Sequence, residues 1–141
     1  MKLEQIVVGV DGSNNACRAV EWAAGLASVT GARVVAVHAL GLLFHGEGGD
    51  VRPAQPMRAE IQRKLQEEWC APLAAAGVTY ESRVVDGSPV MVVLGAADDA
   101  DADLIVLGSR GVGGFPELLL GSTSTQVAQL AHRPVTIIPT D

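Results

Sequence analysis

Apolar residues gather in short continuous runs along this chain rather than alternating with polar ones. Ile6–Val10, Arg33–His38, Leu104–Leu107 and Val135–Ile138 are aliphatic almost throughout, and Tyr80–Val85 is a more polar fifth run. Runs of this length without alternation predict strands covered on both faces. Glu81, Ser82 and Arg83 in the fifth run predict a sheet edge. Between the runs the spacing turns helical. Ala16, Ala19, Val20, Ala23, Ala24 and Ala27 form one stripe, as do Met57, Ile61, Leu65, Trp69 and Leu73. Val90, Val93, Leu94 and Ala97 form a third, and Val127, Leu130 and Ala131 a fourth.

Punctuation agrees with this division. Ser13 precedes the first stripe as an N-cap and Gly31 follows it as a stop. Ser88-Pro89 opens the third helix with a capping serine and a proline at the first helical position. Gly77 ends the second stripe, which Pro72 interrupts. A proline inside a helix costs about 3 kcal/mol, so a kink or break is predicted close to Cys70–Pro72. Ala39–Pro56 is rich in glycine and proline and predicts a long loop, either a plain insertion or a cover for a binding site.

Strands alternating with helices predict an α/β fold: a single five-stranded parallel sheet with helices on both faces, Rossmann-like, in one domain over residues 1–141. In such sheets ligands bind beyond the carboxyl ends of the strands, where the strand order reverses. If the order is 3-2-1-4-5, the turn Asp11–Ser13 and the stretch Gly108–Gly121 meet at that point.

The stretch Gly108–Ser124 reads as a strand end, a loop rich in glycine, and a helix start carrying Ser122, Thr123 and Ser124. A helix start presents unpaired N–H groups and a partial positive charge, which favours a phosphate. Glycines let the backbone approach that anion closely. No G-x-x-x-x-G-K-[ST] loop occurs, and no G-x-G-x-x-G follows the first strand. The pattern here is G-x-x-G (Gly108 and Gly111), nine residues, then Gly121-Ser122.

Composition narrows the reading. With 141 residues, 48% hydrophobic and 4% aromatic, the chain can bury a core of Val, Ala, Leu and Ile. A net charge of −6 argues against a nucleic-acid partner. No apolar run reaches the roughly 18–20 residues of a membrane span, and no signal peptide precedes the first strand, so a cytoplasmic location is expected. The two cysteines, Cys17 and Cys70, form no C-x-x-C and read as small packing residues. His38, His45 and His132 lack metal-ligand spacing; His38 suits packing at a strand end and His132 a helix C-terminus. Trp22 and Trp69 lie on helices and read as core or rim.

Taken together, Ile6–Asp11 with Gly12-Ser13, Val37-His38, the run from Asp103 through Gly111 and the run Leu118–Ser124 resemble the ATP-binding subset of the universal stress protein family over nearly the whole chain. The resemblance implies strand order 3-2-1-4-5, homodimers, and ATP as ligand, with Mg²⁺ beside adjacent phosphates. It implies that Asp11 and the backbone at Ala39 hold the adenine, with Ser13 in the same turn. It places Gly108, Arg110 and Gly111 along ribose and phosphates, and Gly121, Ser122 and Thr123 on the phosphates from the helix start. Pro116-Glu117 stands where many relatives carry a basic residue.

The same residues admit plainer roles. Asp11-Gly12 makes a turn before the Ser13 cap, Ser122 or Thr123 suits an N-cap, and Arg110 reads as a surface arginine. Three functions follow: a nucleotide-dependent dimeric switch read by a protein partner, a slow ATPase, or an interaction module that binds no nucleotide. Arg110 is the one clear cation near the loop, where efficient phosphoryl transfer needs several groups on the phosphates. Val135–Ile138 is expected at a sheet edge, where two copies would pair antiparallel in the homodimer.

Overall fold

The computed structural model describes residues 1–40, 44–46, 49–51, 55–110 and 120–140. Five parallel strands form one sheet: β1 (Gln5–Gly9), β2 (Arg33–Ala39), β5 (Tyr80–Val85), β6 (Leu104–Gly108) and β7 (Val135–Ile138). Their spatial order is β5-β2-β1-β6-β7. The two intervening strands, β3 (Phe44–Gly46) and β4 (Gly49–Val51), form a separate antiparallel hairpin. With that hairpin set aside the order is 3-2-1-4-5, and β5 and β7 are the edges, as the sequence predicts.

Two cores explain why the strands do not alternate. Ile6, Val8, Val34, Ala36 and Val106 point into a layer built from the alanine stripe of α1 (Asn14–Thr30) with Leu65, Cys70 and Leu73. Val7, Val35, Val37, Ile105 and Leu107 point the other way, onto α4 (Pro89–Asp99) and Val127 of α5 (Ser122–Leu130). The three central strands β1, β2 and β6 therefore bury both faces, each inner position being apolar for one layer or the other, while the edge strands β5 and β7 are largely half-buried. All six stripe residues of α1 are buried, and their small size lets the helix lie close on β1 and β6.

Helix limits follow local chemistry. The Ser13 hydroxyl accepts from Ala16 N–H at 3.1 Å, and Gly31 closes α1 in the left-handed conformation at φ 78°. Ser88 caps α4 in the same way, accepting from Met91 N–H at 3.3 Å. On α4 the buried face is Val90, Val92, Val93, Ala96 and Ala97, so Leu94 sits at its margin. On α5 Leu130 is exposed, which removes it from the expected stripe; it is the last residue of the helix and lies past the end of the packed face.

The stretch predicted as one interrupted helix is three pieces. These are α2 (Gln55–Lys64), a widened π turn (Leu65–Trp69) and α3 (Ala71–Ala75). Cys70 N–H donates to the Leu65 carbonyl at 2.9 Å, and the chain bends at Cys70 so that Pro72 falls in the first turn of α3. A proline is tolerated there because its missing N–H would have had no helical partner. Ala39 extends β2 rather than opening a loop, and the Ala39–Pro56 segment contains the β3–β4 hairpin and the start of α2, which its glycines and prolines did not suggest.

Cys70 is buried as expected, and desolvation pushes its thiol up to about 11. Cys17 departs from the packing role: it is exposed on α1, its Sγ 3.7 Å from Glu21 Oε1. Among the described residues no helix is long and apolar enough to cross a membrane.

Candidate nucleotide site

The strand order reverses between β1 and β6, so the chain diverges beyond their carboxyl ends and leaves a crevice. On the β1 side stands the turn Asp11-Gly12-Ser13. Asp11 Oδ1 accepts from Ser13 N–H at 2.9 Å and from the Ser13 hydroxyl at 2.6 Å. That hydroxyl in turn caps α1, so the carboxylate, the turn and the helix start are one unit. Gly12 sits at φ +83°, and a Cβ there would lie 2.7 Å from the Trp69 ring. Only glycine meets both conditions.

Trp69 belongs to the π turn and also stacks obliquely on His38, with ring centroids 5.2 Å apart. His38 Nδ1 lies 2.7 Å from the Val10 carbonyl, which only accepts, so Nδ1 carries the hydrogen. His38 thus packs at the end of β2, as its position in the sequence suggests, and braces the chain just before Asp11. Ala39 is the last residue of β2, half-buried and paired with Val85 of the edge strand.

On the β6 side the chain leaves the sheet through Gly108, Ser109 and Arg110. Ser109 is buried and bonded in three directions. Its N–H donates to the Ile138 carbonyl at 2.8 Å and its hydroxyl to Asn15 Oδ1 at 3.1 Å. Its carbonyl accepts from Gly121 N–H at 2.5 Å and from the Ser124 hydroxyl at 2.8 Å. The start of α5 is thereby held against the exit of β6, although the two lie a long loop apart in sequence. Arg110 N–H donates to Asn15 Oδ1 at 2.7 Å, and its guanidinium donates to the Thr140 hydroxyl at 2.8 Å.

α5 begins differently from its neighbours. Gly121 is its N-cap residue and no described side chain caps it; like α1 and α4, its first turn carries no acidic residue. The Gly121 carbonyl takes the inward-bent hydroxyls of Ser124 and Thr125 as well as Thr125 N–H. Ser122 is exposed and Thr123 half-buried at the helix start. The first N–H groups of a helix have no intrahelical acceptor, and the macrodipole adds positive potential there. A helix start of this kind is a general candidate for an anion.

The structure therefore gathers Asp11, Ser13, Gly108, Arg110, Gly121, Ser122 and Thr123 around the β1–β6 crevice, with Ala39 one strand away. Gly111 lies outside the described residues. Asn15, Ser109 and Thr140 are additions that motif reading passed over. Asn15 left a trace: it precedes Ala19, Ala23 and Ala27 at four-residue spacing, a polar side chain on a buried stripe. An amide at such a position must be bonded to something.

A doubly wound α/β sheet with five parallel strands in the order β5-β2-β1-β6-β7 defines the fold class. Residues 2–139 match the family model described as "Universal stress protein family". The chain belongs to that family. It is 36% identical over 141 residues to the Thermus aquaticus protein "Universal stress protein in QAH/OAS sulfhydrylase 3'region", covering 94% of this chain and 96% of that one. Among solved structures it resembles a universal stress protein in complex with cAMP at a TM-score of 0.77 and 31% identity, covering 100% of both chains. It also resembles the universal stress protein from Archaeoglobus fulgidus in complex with dAMP, at a TM-score of 0.73 and 27% identity, covering 98% of this chain and 99% of that one.

Proposed function

We propose that this protein is a nucleotide-binding regulatory protein whose β1–β6 crevice takes ATP with Mg²⁺, and that it acts as a dimeric switch. The observation that carries the reading is the start of α5: uncapped by any described side chain and fastened to the exit of β6 at the topological switch point. The solved relatives in complex with cAMP and dAMP support an adenine nucleotide as the ligand class. The phosphates would sit on Gly121, Ser122 and Thr123, and the ribose and phosphates along Gly108, Arg110 and Gly111. The adenine would lie against Asp11 and the backbone at Ala39, with Ser13 holding the Asp11 turn. Because Asp11 Oδ1 is already committed to Ser13, a Mg²⁺ ion would be held mainly by phosphate oxygens and water. The edge strand β7 is the surface through which two copies would pair, and the cytoplasm is the compartment this reading assigns.

The test is the nucleotide content of protein purified without added ligand, followed by titration with Mg·ATP, ADP and AMP. Co-purified ATP, or saturable Mg·ATP binding, is the expected result. ADP alone, with steady phosphate release, would move the reading to a slow ATPase. No binding at millimolar nucleotide would overturn it in favour of an interaction module.

A further inference from the structure

One side chain joins the crevice to the edge of the sheet. Asn15 lies in the first turn of α1, 8% exposed, and both ends of its amide are bonded. Oδ1 accepts from the Ser109 hydroxyl at 3.1 Å and from Arg110 N–H at 2.7 Å. Nδ2 donates to the Ile138 carbonyl at 3.0 Å and approaches the Pro139 carbonyl at 3.4 Å. One end thus holds the exit of β6 and the other the end of β7. Gly108 packs directly on the amide: a Cβ there would lie 2.9 Å from Asn15 Cγ, so the chain passes as close as a backbone can. A second tie runs beside it, from the Arg110 guanidinium to the Thr140 hydroxyl.

We propose that Asn15 is a positioning residue that couples the nucleotide site to the edge strand: its amide fixes Ser109 and Arg110 relative to Ile138 and Pro139, so that occupancy of the crevice tightens the end of β7. The inference rests on the nucleotide reading above and adds to it the route by which occupancy reaches the edge. A buried amide bonded at both ends transmits a displacement because neither end can move without leaving a buried polar group unpaired. The coupling is reciprocal by thermodynamic necessity, so a change at β7 alters nucleotide affinity by the same factor.

Asn15→Asp separates the two ends. A carboxylate keeps the acceptor facing Ser109 and Arg110 but replaces the donor facing the Ile138 and Pro139 carbonyls. The experiment is calorimetric titration of the full chain with Mg·ATP and with AMP, paired with amide hydrogen exchange over 104–110 and 135–140. In the wild type, nucleotide is expected to slow exchange in both segments. In Asn15→Asp it slows 104–110 alone, and affinity falls about tenfold. If that variant does not fold cooperatively, Ser109→Ala removes a single hydroxyl from the same network. Its expected result is roughly threefold weaker binding and a diminished response at 135–140. An amide that merely stabilises the fold would lower the melting temperature and leave the exchange response intact. A folded variant with wild-type affinity and an unchanged response at 135–140 overturns the proposal. So does a wild type in which nucleotide protects 104–110 only. Absence of any binding by the wild type overturns the nucleotide reading, and the coupling with it, and is seen without any variant.

Discussion

α1 and α5 both begin at the carboxyl end of the sheet, on either side of the β1–β6 crevice, yet they solve the same problem in opposite ways. α1 satisfies itself: the Ser13 hydroxyl accepts from Ala16 N–H, and Asp11 fixes that serine. α5 follows a glycine, has no described capping side chain, and turns the Ser124 and Thr125 hydroxyls inward onto the Ser109 and Gly121 carbonyls. Gly121 as N-cap gives up only a few tenths of a kcal/mol against a capping serine, so α5 forgoes a side-chain cap at little cost and leaves its first N–H groups to water or a ligand. Among the described residues α1, α4 and α5 start at this end of the sheet behind a serine or glycine, and Ser88 makes α4 a second self-capped example. The first helix start is completed by its own side chain; the second is the one to which the proposed function assigns a ligand.

The sharpest way to break this comparison is to give α5 an anion of its own. Ser122→Asp places a carboxylate at the helix start, where the macrodipole favours it by about 0.3–1 kcal/mol. The protein is expected to become slightly more stable by denaturant midpoint. Nucleotide affinity is expected to fall by about 100-fold, roughly 2.7 kcal/mol, because a like charge now meets the phosphate. Opposite signs in stability and affinity mark a ligand site. A gain in stability with unchanged affinity would mean that α5 merely lacks a cap.

The complementary variant acts on α1. Ser13→Ala removes the cap and one acceptor-matched donor from Asp11, and should cost about 1 kcal/mol of stability. Affinity should fall only about threefold, through loosening of the Asp11 turn. Equilibrium unfolding and calorimetry on the same samples check both numbers. Loss of affinity exceeding the loss of stability would make Ser13 a direct ligand contact and erase the contrast with Ser122.

Much of this architecture is legible in the sequence because local signals and burial agree. Aliphatic runs mark strands with two covered faces, and Ser13, Gly31, Ser88 and Pro89 mark helix limits by their own backbone preferences. The crevice was reachable because a glycine loop and a serine-rich helix start fall at a switch point that topology fixes. Other features depend on contacts far apart in the chain. The need for glycine at position 12 comes partly from Trp69, which arrives from a π turn that no periodicity announces. The β3–β4 hairpin is short and built from residues that also suit a loop. The partners of Asn15 lie at Ser109, Arg110, Ile138 and Pro139, and only the sheet order brings them together. Exposure of Leu130 and Cys17 likewise follows from where helices end and turn outward.

The smallest expected effect comes from the opposite end of the sheet, where an anion already sits on paired backbone donors. Asp103 Oδ2 accepts from Glu4 N–H at 2.8 Å and Gln5 N–H at 3.0 Å. These two bonds hold its carboxyl below the usual carboxylate range. It does there, with a side chain, what a phosphate would do at α5. A carboxyl whose folded-state pKa is depressed binds fewer protons folded than unfolded, so stability rises with pH across that interval. The contribution is fully present above the unfolded value of about 3.9 and is lost as pH falls through the depressed folded value. Asp103→Asn keeps an acceptor and removes the titration. The wild type should therefore exceed Asp103→Asn in denaturant midpoint at pH 7, and the gap should narrow as pH falls below about 4. Its size is expected to be small, since the site is open to solvent and screened by salt. A gap that persists unchanged at low pH would mean that charge adds nothing on these two N–H groups, and would weaken the case that the α5 donors discriminate for an anion.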